Sequence, residues 1–224
     1  MENVKDIDGN SYKTVKIGNQ VWMAENLKVT HYRNGDPIQT PKDYYEWRSS
    51  IIINSGAQYC VYQNKVNAKN IIAEFGYLYN WEAVNCEWGL APNGWHIPTD
   101  NEWQKLVDYL GGNEIAGGKL KEKETFGSDG LWHTPNTGAT NESGFSARPA
   151  GYRKGGHASE NWAGKYEKIP SKYYYGAFTE CHFWTSTKYI DGVAISRRLR
   201  NNTSAVTRHK WYISEGYSVR CIKD

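Results

Sequence analysis

Apolar and polar residues follow two different rhythms along this chain. Trp103, Leu106, Val107 and Leu110 recur at i, i+3, i+4 and i+7, which places them on one face of a helix. Thr99 stands three positions before Glu102, the pairing of a capping box. Pro98 precedes it, and Gly111-Gly112 supplies a stop. The spacing predicts a helix between residues 99 and 111. A shorter helix is predicted in "GYLYNWEAVN", residues 76–85, carrying Leu78, Trp81 and Val84.

Elsewhere the β-forming residues dominate. "SYKTVKIGNQVWMAENL" predicts a hairpin built from Tyr12, Val15, Ile17, Val21 and Trp22, with Gly18-Asn19 where a two-residue reversal needs positive φ. A short strand is predicted near 57–62, and further strands over 144–153, 183–199 and 216–224. The second of these folds back at Asp191-Gly192. After Gly112 the helical pattern lapses, and a stretch rich in Gly, Thr, Asn and Ser predicts long ordered loops. Two helices with a dispersed antiparallel sheet and long loops make an α+β domain.

The 224 residues suit a single domain, 1–224. Only 39% are hydrophobic, but 10 Trp and 17 Tyr compensate. Such rings serve recognition surfaces and β-rich cores alike, and composition alone favours the core. A net charge of +3 is too weak to point to nucleic acid. No apolar run approaches the ~18 residues of a membrane span, and residues 1–10 show no export signal. Cys60, Cys86, Cys181 and Cys221 are far apart and lack zinc spacing. If oxidised they allow several pairings, and the sequence does not choose among them.

The motifs of catalysis are broken or absent. A P-loop at Gly118-Lys119 fails because Asn113 replaces its first glycine and Leu120 its Ser/Thr. "GFSAR" is not a nucleophile elbow, and no H-E-x-x-H occurs. "DIDGN" fails the EF-hand pattern, since Gly9 comes early and Ile17 takes the glutamate position. In "GWHIPTDNEWQKL", His96, Asp100 and Glu102 invite a catalytic reading, but the two acids have a local task at a helix N-terminus.

One charge bias remains. Between Lys188 and Lys210 lie Arg197, Arg198, Arg200, Arg208 and His209, against the single acid Asp191. Asn201, Asn202, Thr203 and Ser204 lie among them, and Tyr173, Tyr174 and Tyr175 lie upstream. A solvated hairpin and a recognition surface explain this about equally well. Strand alternation from Val193 puts Val193, Ile195 and Arg197 on one side and Ala194, Ser196 and Arg198 on the other. Which side is exposed stays open.

Several segments together carry a resemblance. They are "DIDGNSYKTVKIGNQVWMAENLK", "YCVYQN", "GYLYNWEAV", "GWHIPTDNEWQKL", "GGNEIAGGKLKE", "PNTGATNESGFSARPAGYR", "FWTST" and "GYSVRCIKD", in that order from end to end. The chain resembles the Fibrobacter succinogenes major paralogous domain family. That resemblance implies a C-type-lectin-like fold near the formylglycine-generating-enzyme type, with two helices, a twisted antiparallel sheet and neighbouring terminal strands. Residues 30–58 and 154–182 match poorly and are expected to be family-variable loops. The family's usual Cys-Pro before Gly-Trp-His is Ala91-Pro92 here, which puts a bridge to Cys221 in doubt.

The resemblance also implies export, as a lipoprotein or anchored surface protein whose N-terminal signal has been removed. In related variable proteins, the segment before the last strand displays changeable side chains; here that is roughly 173–211. The expected function is a non-catalytic, extracellular binding or adhesion module for a glycan or protein, with no nucleic-acid partner and no membrane insertion. Its expected ligand-binding residues are Tyr173, Tyr174, Tyr175, His182, Arg197, Arg200, Asn201, Arg208 and Trp211, with no catalytic residue and no metal ligand. The tyrosines would stack, and Arg197, Arg200, Arg208 and Asn201 would donate hydrogen bonds. Two alternatives are a filament or tip subunit, and an enzyme of the formylglycine-generating type relying on Cys181 in a loop-like segment. The lectin signatures Glu-Pro-Asn and Trp-Asn-Asp are absent, so no sugar-coordinating calcium is expected. A structural calcium on loop oxygens stays open, and no other cofactor is expected.

Overall fold

A computed structural model describes residues 2–42, 46–47, 56–62, 69–155 and 174–224. The first half of the chain contains β1 (Val4–Lys5), β2 (Ser11–Tyr12), β3 (Thr14–Ile17), β4 (Gln20–Met23), β5 (Tyr59–Cys60), α1 (Lys69–Phe75), β6 (Leu78–Tyr79), α2 (Trp81–Val84) and β7 (Trp95–His96). Then come α3 (Asp100–Tyr109), α4 (Asn113–Leu120), β8 (Ala150–Arg153), β9 (Tyr174–Ala177), β10 (Glu180–Ile190), β11 (Val193–Arg200), β12 (Val206–Tyr212) and β13 (Ile222–Lys223). A four-stranded sheet runs β3-β4-β13-β7, and a five-stranded sheet runs β12-β11-β10-β8-β9. All their pairings are antiparallel except β8 with β10. The fold is α+β.

Local chemistry explains most of these elements. Gly18, at φ 58°, turns the predicted β3–β4 hairpin. β13 lies beside β4, so the two ends of the chain share a sheet. Helix α3 carries the predicted capping box: Thr99 Oγ1 accepts from the Glu102 amide, and the Glu102 carboxylate accepts from the Thr99 amide at 2.8 Å. Its Trp103, Leu106 and Val107 are buried against Trp22, Phe145 and Phe183, with Trp22 and Trp103 edge-to-face at 5.0 Å. A second core gathers Tyr12, Tyr79, Trp81, Trp184 and Tyr217. Five tryptophans are fully buried, so much of the aromatic excess is core.

Three expectations need correction. Four helices, not two, are present among the described residues. The stretch after Gly112 begins with α4, whose Gly117 and Gly118 disguised it. A Cβ on Gly117 would lie 2.5 Å from the Ala205 carbonyl, and one on Gly118 would lie 2.2 Å from that of Gly138. These glycines permit close helix–loop contact rather than breaking the helix, and burial of Ala116 and Leu120 offsets their low propensity. Second, Leu78 and Tyr79 are strand rather than helix, because they pair with Cys60 and Tyr59; α2 starts only after Asn80, whose side chain caps the Ala83 amide. Third, Cys181 is no loop residue. It sits fully buried in β10, and burial pushes its thiol well above the ordinary range. All four cysteines are free thiols.

His96 is a structural tie. Its Nδ1 lies 2.6 Å from Asp224 Oδ1 and its Nε2 lies 3.0 Å from Glu102 Oε1, joining the C-terminus to the start of α3. Burial opposes the imidazolium, but the Asp224 and Glu102 carboxylates outweigh it and raise the His96 pKa. Burial likewise opposes ionised Glu102, yet bonds from Thr99 and His96 hold its pKa down. The tie is therefore complete above the unfolded glutamate value, about 4.3, and below the unfolded histidine value, about 6.5. It is lost as pH rises through the raised His96 value. Solvent screening keeps it under about 1 kcal/mol. Thermal melts from pH 6 to 9 should therefore show a fall of about 2 °C that His96→Gln abolishes.

Candidate functional site

The register of the five-stranded sheet decides which side chains share a side. Phe183, Arg197 and Arg208 stand opposite one another, so they share one side. His182, Arg198 and Thr207 form the adjacent row on the other side, followed by Trp184, Ser196 and His209. The Arg197 side faces α3. Arg197 is only 1% exposed and bonds Asp100 Oδ1 through Nε at 2.8 Å and Nη2 at 2.5 Å, with Gln104 Oε1 at 3.0 Å. Arg208 Nε donates to the other oxygen of Asp100 at 2.6 Å.

Several expected binding residues are thus structural. Arg197 and Arg208 fix the sheet to α3. Tyr174 is buried, and its hydroxyl accepts from Arg153 Nη1 at 2.9 Å. Asn201 donates to the carbonyls of His133 and Thr134, pinning the turn after β11 to a neighbouring loop. Tyr173 lies outside the described residues. The other four, Tyr175, His182, Arg200 and Trp211, lie on the second side of the sheet.

A row of five rings crosses that second side. Tyr175 stacks on Tyr152 at 5.6 Å, Tyr152 lies 5.0 Å from His182, His182 lies 5.7 Å from His209, and His209 stacks on Trp211 at 5.0 Å. The ends are open, with Tyr175 41% and Trp211 37% exposed. The centre is buried, because Tyr217 stacks on His182 at 4.5 Å. From β12 to β9 the row spans four strand spacings, about 19 Å.

Polar groups line this row. Ser196 Oγ is buried without a hydrogen-bond partner, as are both ring nitrogens of His182, Nδ1 of His209 and Nε of Arg198 and Arg200. Glu180 Oε2 is 3.4 Å from His182 Nε2, near enough for charge but without a hydrogen bond. Burial lowers the His182 pKa, and the Glu180 carboxylate only partly opposes it. Burial, then His182 and Arg198, drive His209 down to about 4. Both imidazoles are therefore neutral at pH 7. Burial would raise Glu180, but His182, Arg198 and Arg200 together hold it low, so it is ionised.

Sequence reasoning left Tyr152, Glu180, Ser196, Arg198 and His209 out of the site. The alternation along β11 already separated Ser196 and Arg198 from Arg197; parity alone would have found them once Arg197 was known to be buried. A cavity of about 170 Å³ elsewhere is lined by Asp6, His31 and Arg33. Three of its charged or titratable groups are engaged within the protein: Asp6 by Asn10 and Tyr12, His31 by Asp8, and Arg33 by the Ala91 and Trp95 carbonyls. Among the described residues, no group of three or more His, Cys, Asp or Glu is placed to hold a metal, and no helix is long and apolar enough to cross a membrane.

No curated protein and no solved structure matches the chain. A model of the Fibrobacter succinogenes major domain matches residues 15–223, nearly the whole sequence, and the chain belongs to that family.

Proposed function

We propose that the chain is a non-catalytic, extracellular binding module of C-type-lectin-like fold, recognising a glycan or protein on the ring-lined side of its five-stranded sheet. The observation that carries this is the Tyr175–Tyr152–His182–His209–Trp211 row with orphaned polar atoms along it. The middle of the row is enclosed beneath Tyr217, so contact falls to its open ends, Tyr175 and Trp211. Exposed Trp and Tyr bring contact area with few rotatable bonds. The long loops and the pairing of β4 with β13 support the fold assignment. Export as a lipoprotein or anchored surface protein is part of the same proposal. A formylglycine-generating chemistry is disfavoured because the Cys181 thiol is buried and held protonated.

A glycan array probed with the wild type and with the Trp211→Ala/Tyr175→Ala pair tests it. Bound signals should fall at least about tenfold, with the melting midpoint within about 2 °C of wild type. Unchanged binding would remove this side of the sheet from recognition. A filament or adhesin subunit is the second reading, favoured by exposed Tyr189, Ile190 and Tyr212 near one end of the sheet. It requires self-association, so strict monomers in light scattering at high concentration would count against it.

A further inference from the structure

The arginines of the described chain divide sharply. Arg33, Arg148, Arg153, Arg197, Arg208 and Arg220 each donate to a carboxylate, carbonyl or hydroxyl. The guanidiniums of Arg198 and Arg200 have no hydrogen-bond or ion-pair partner among the described residues, and the Nε of each is buried. They stand two positions apart on β11, so both point to the ring-lined side, about 6.6 Å apart along the strand. Arg198 sits opposite His182, and Arg200 opposite Glu180. Two same-side cations repel each other, and the only ionised carboxylate paired across from them is Glu180. Their outer N–H groups are therefore uncommitted within the described residues.

We propose that Arg198 and Arg200 bind the carboxylate of an acidic saccharide whose outer rings rest on the open ends of the aromatic row, Tyr175 and Trp211. This deepens the binding reading above and rests on it. The guanidinium fork matches a carboxylate in a bidentate fashion. The two guanidiniums and the one carboxylate paired with them across the strands, Glu180, leave one positive charge over, which suits a singly charged carboxylate better than a doubly charged phosphate. His209, neutral and only partly buried, can exchange donor and acceptor roles with a sugar hydroxyl, which an acidic peptide side chain does not offer. The row's two open ends lie on strands four spacings apart, about 19 Å, a span of several linked rings rather than one. Trp211 and Tyr175 at its ends would take the outer rings by stacking.

Polygalacturonate, a chain of carboxylate-bearing sugars, is the direct probe, with its methyl-esterified form as the uncharged control and poly-glutamate as the non-sugar anion. Isothermal titration of the wild type should show polygalacturonate bound at least about tenfold tighter than either comparator, weakening as salt is added. Arg198→Gln and Arg200→Gln should each erase the preference over the esterified chain. Arg198→Lys should keep only part of it, because charge survives and the fork does not. The comparison of the three polymers needs no variant, so a substitution that failed to fold would leave the test intact. Equal binding of charged and esterified polymers, or tighter binding of poly-glutamate, would overturn the proposal. So would absence of polygalacturonate binding. In that case, a neutral glycan lost on Trp211→Ala/Tyr175→Ala would leave the binding reading standing, and one retained would remove both.

Discussion

Replacing Asp100 by alanine should destabilise the protein by about 3–5 kcal/mol. Asp100 is where the sheet and α3 meet. Its Oδ1 accepts twice from Arg197 and its Oδ2 once from Arg208. Arg197 is 1% exposed, so its charge has no route to water when the carboxylate is removed. Burial already presses against the Arg197 cation, and Asp100 is what offsets that pressure. Asp100 also stands in the first turn of α3, where a negative charge favours the exposed amides. By contrast Arg208, on an edge strand and exposed, should give less than about 1 kcal/mol when changed to alanine. Urea denaturation provides the measurement: the midpoint should fall with the slope unchanged. The double variant Asp100→Leu/Arg197→Met should recover most of the loss, since an apolar pair does not leave an orphaned charge. A single-variant cost below about 1 kcal/mol would mean that water reaches Arg197, and the assignment of this pair as the joint would fail.

The same contrast explains how much of the molecule could be read in advance. Helix α3 was legible because its apolar spacing, capping box and terminal glycines agree. The β3–β4 and β10–β11 hairpins were legible because turn residues and β-formers agree. Helix α4 was not, because Gly117 and Gly118 serve a contact with residues 138, 204 and 205 that lies far away in sequence. Of the candidate site, the sequence pointed to the segment 173–211, which supplies four of the five rings, but neither to Tyr152 nor to the side of the sheet. An alternating strand offers two equal sets, and the choice between Arg197 and Arg198 depends on Asp100, nearly a hundred residues upstream. Counting exposed-looking arginines and tyrosines therefore mixed Arg197, Arg208, Tyr174 and Asn201, which hold the fold, with Tyr175, His182, Arg200 and Trp211, which lie on the ring-lined side. Charge in a sequence signals recognition only where the partner is absent, and partners here are long-range.

Lys121 is the strongest case of that rule, and Lys121→Met should cost about 3–5 kcal/mol. The residue is 0% exposed at the end of α4, against the usual habit of lysine. Its Nζ donates to the carbonyls of Thr137 at 2.9 Å, Arg200 at 3.0 Å and Thr203 at 2.9 Å, and lies 5.4 Å from the Trp132 ring centre. One ammonium, with three donors, thereby satisfies three carbonyls from two separate loops. Burial lowers its pKa to about 8, which leaves it mostly charged at pH 7. Methionine fits the volume but supplies no donor, so three acceptors lose their partner at about 1–3 kcal/mol each, partly recovered by water. The loss should be local before it is global. Amide exchange should quicken first at Thr137, whose N–H donates to Asn201, and at Gly118, whose N–H donates to Ser204. Arg200 follows its own carbonyl, so the end of β11 would lose its anchor and the proposed saccharide binding should weaken in the same variant. A stable Lys121→Met protein with unchanged exchange at Thr137 and Gly118 would show that packing of Gly117 and Gly118 alone holds these loops. If instead exchange rises there and not in α3, the buried cation is what sets the shape of the turn that follows Arg200.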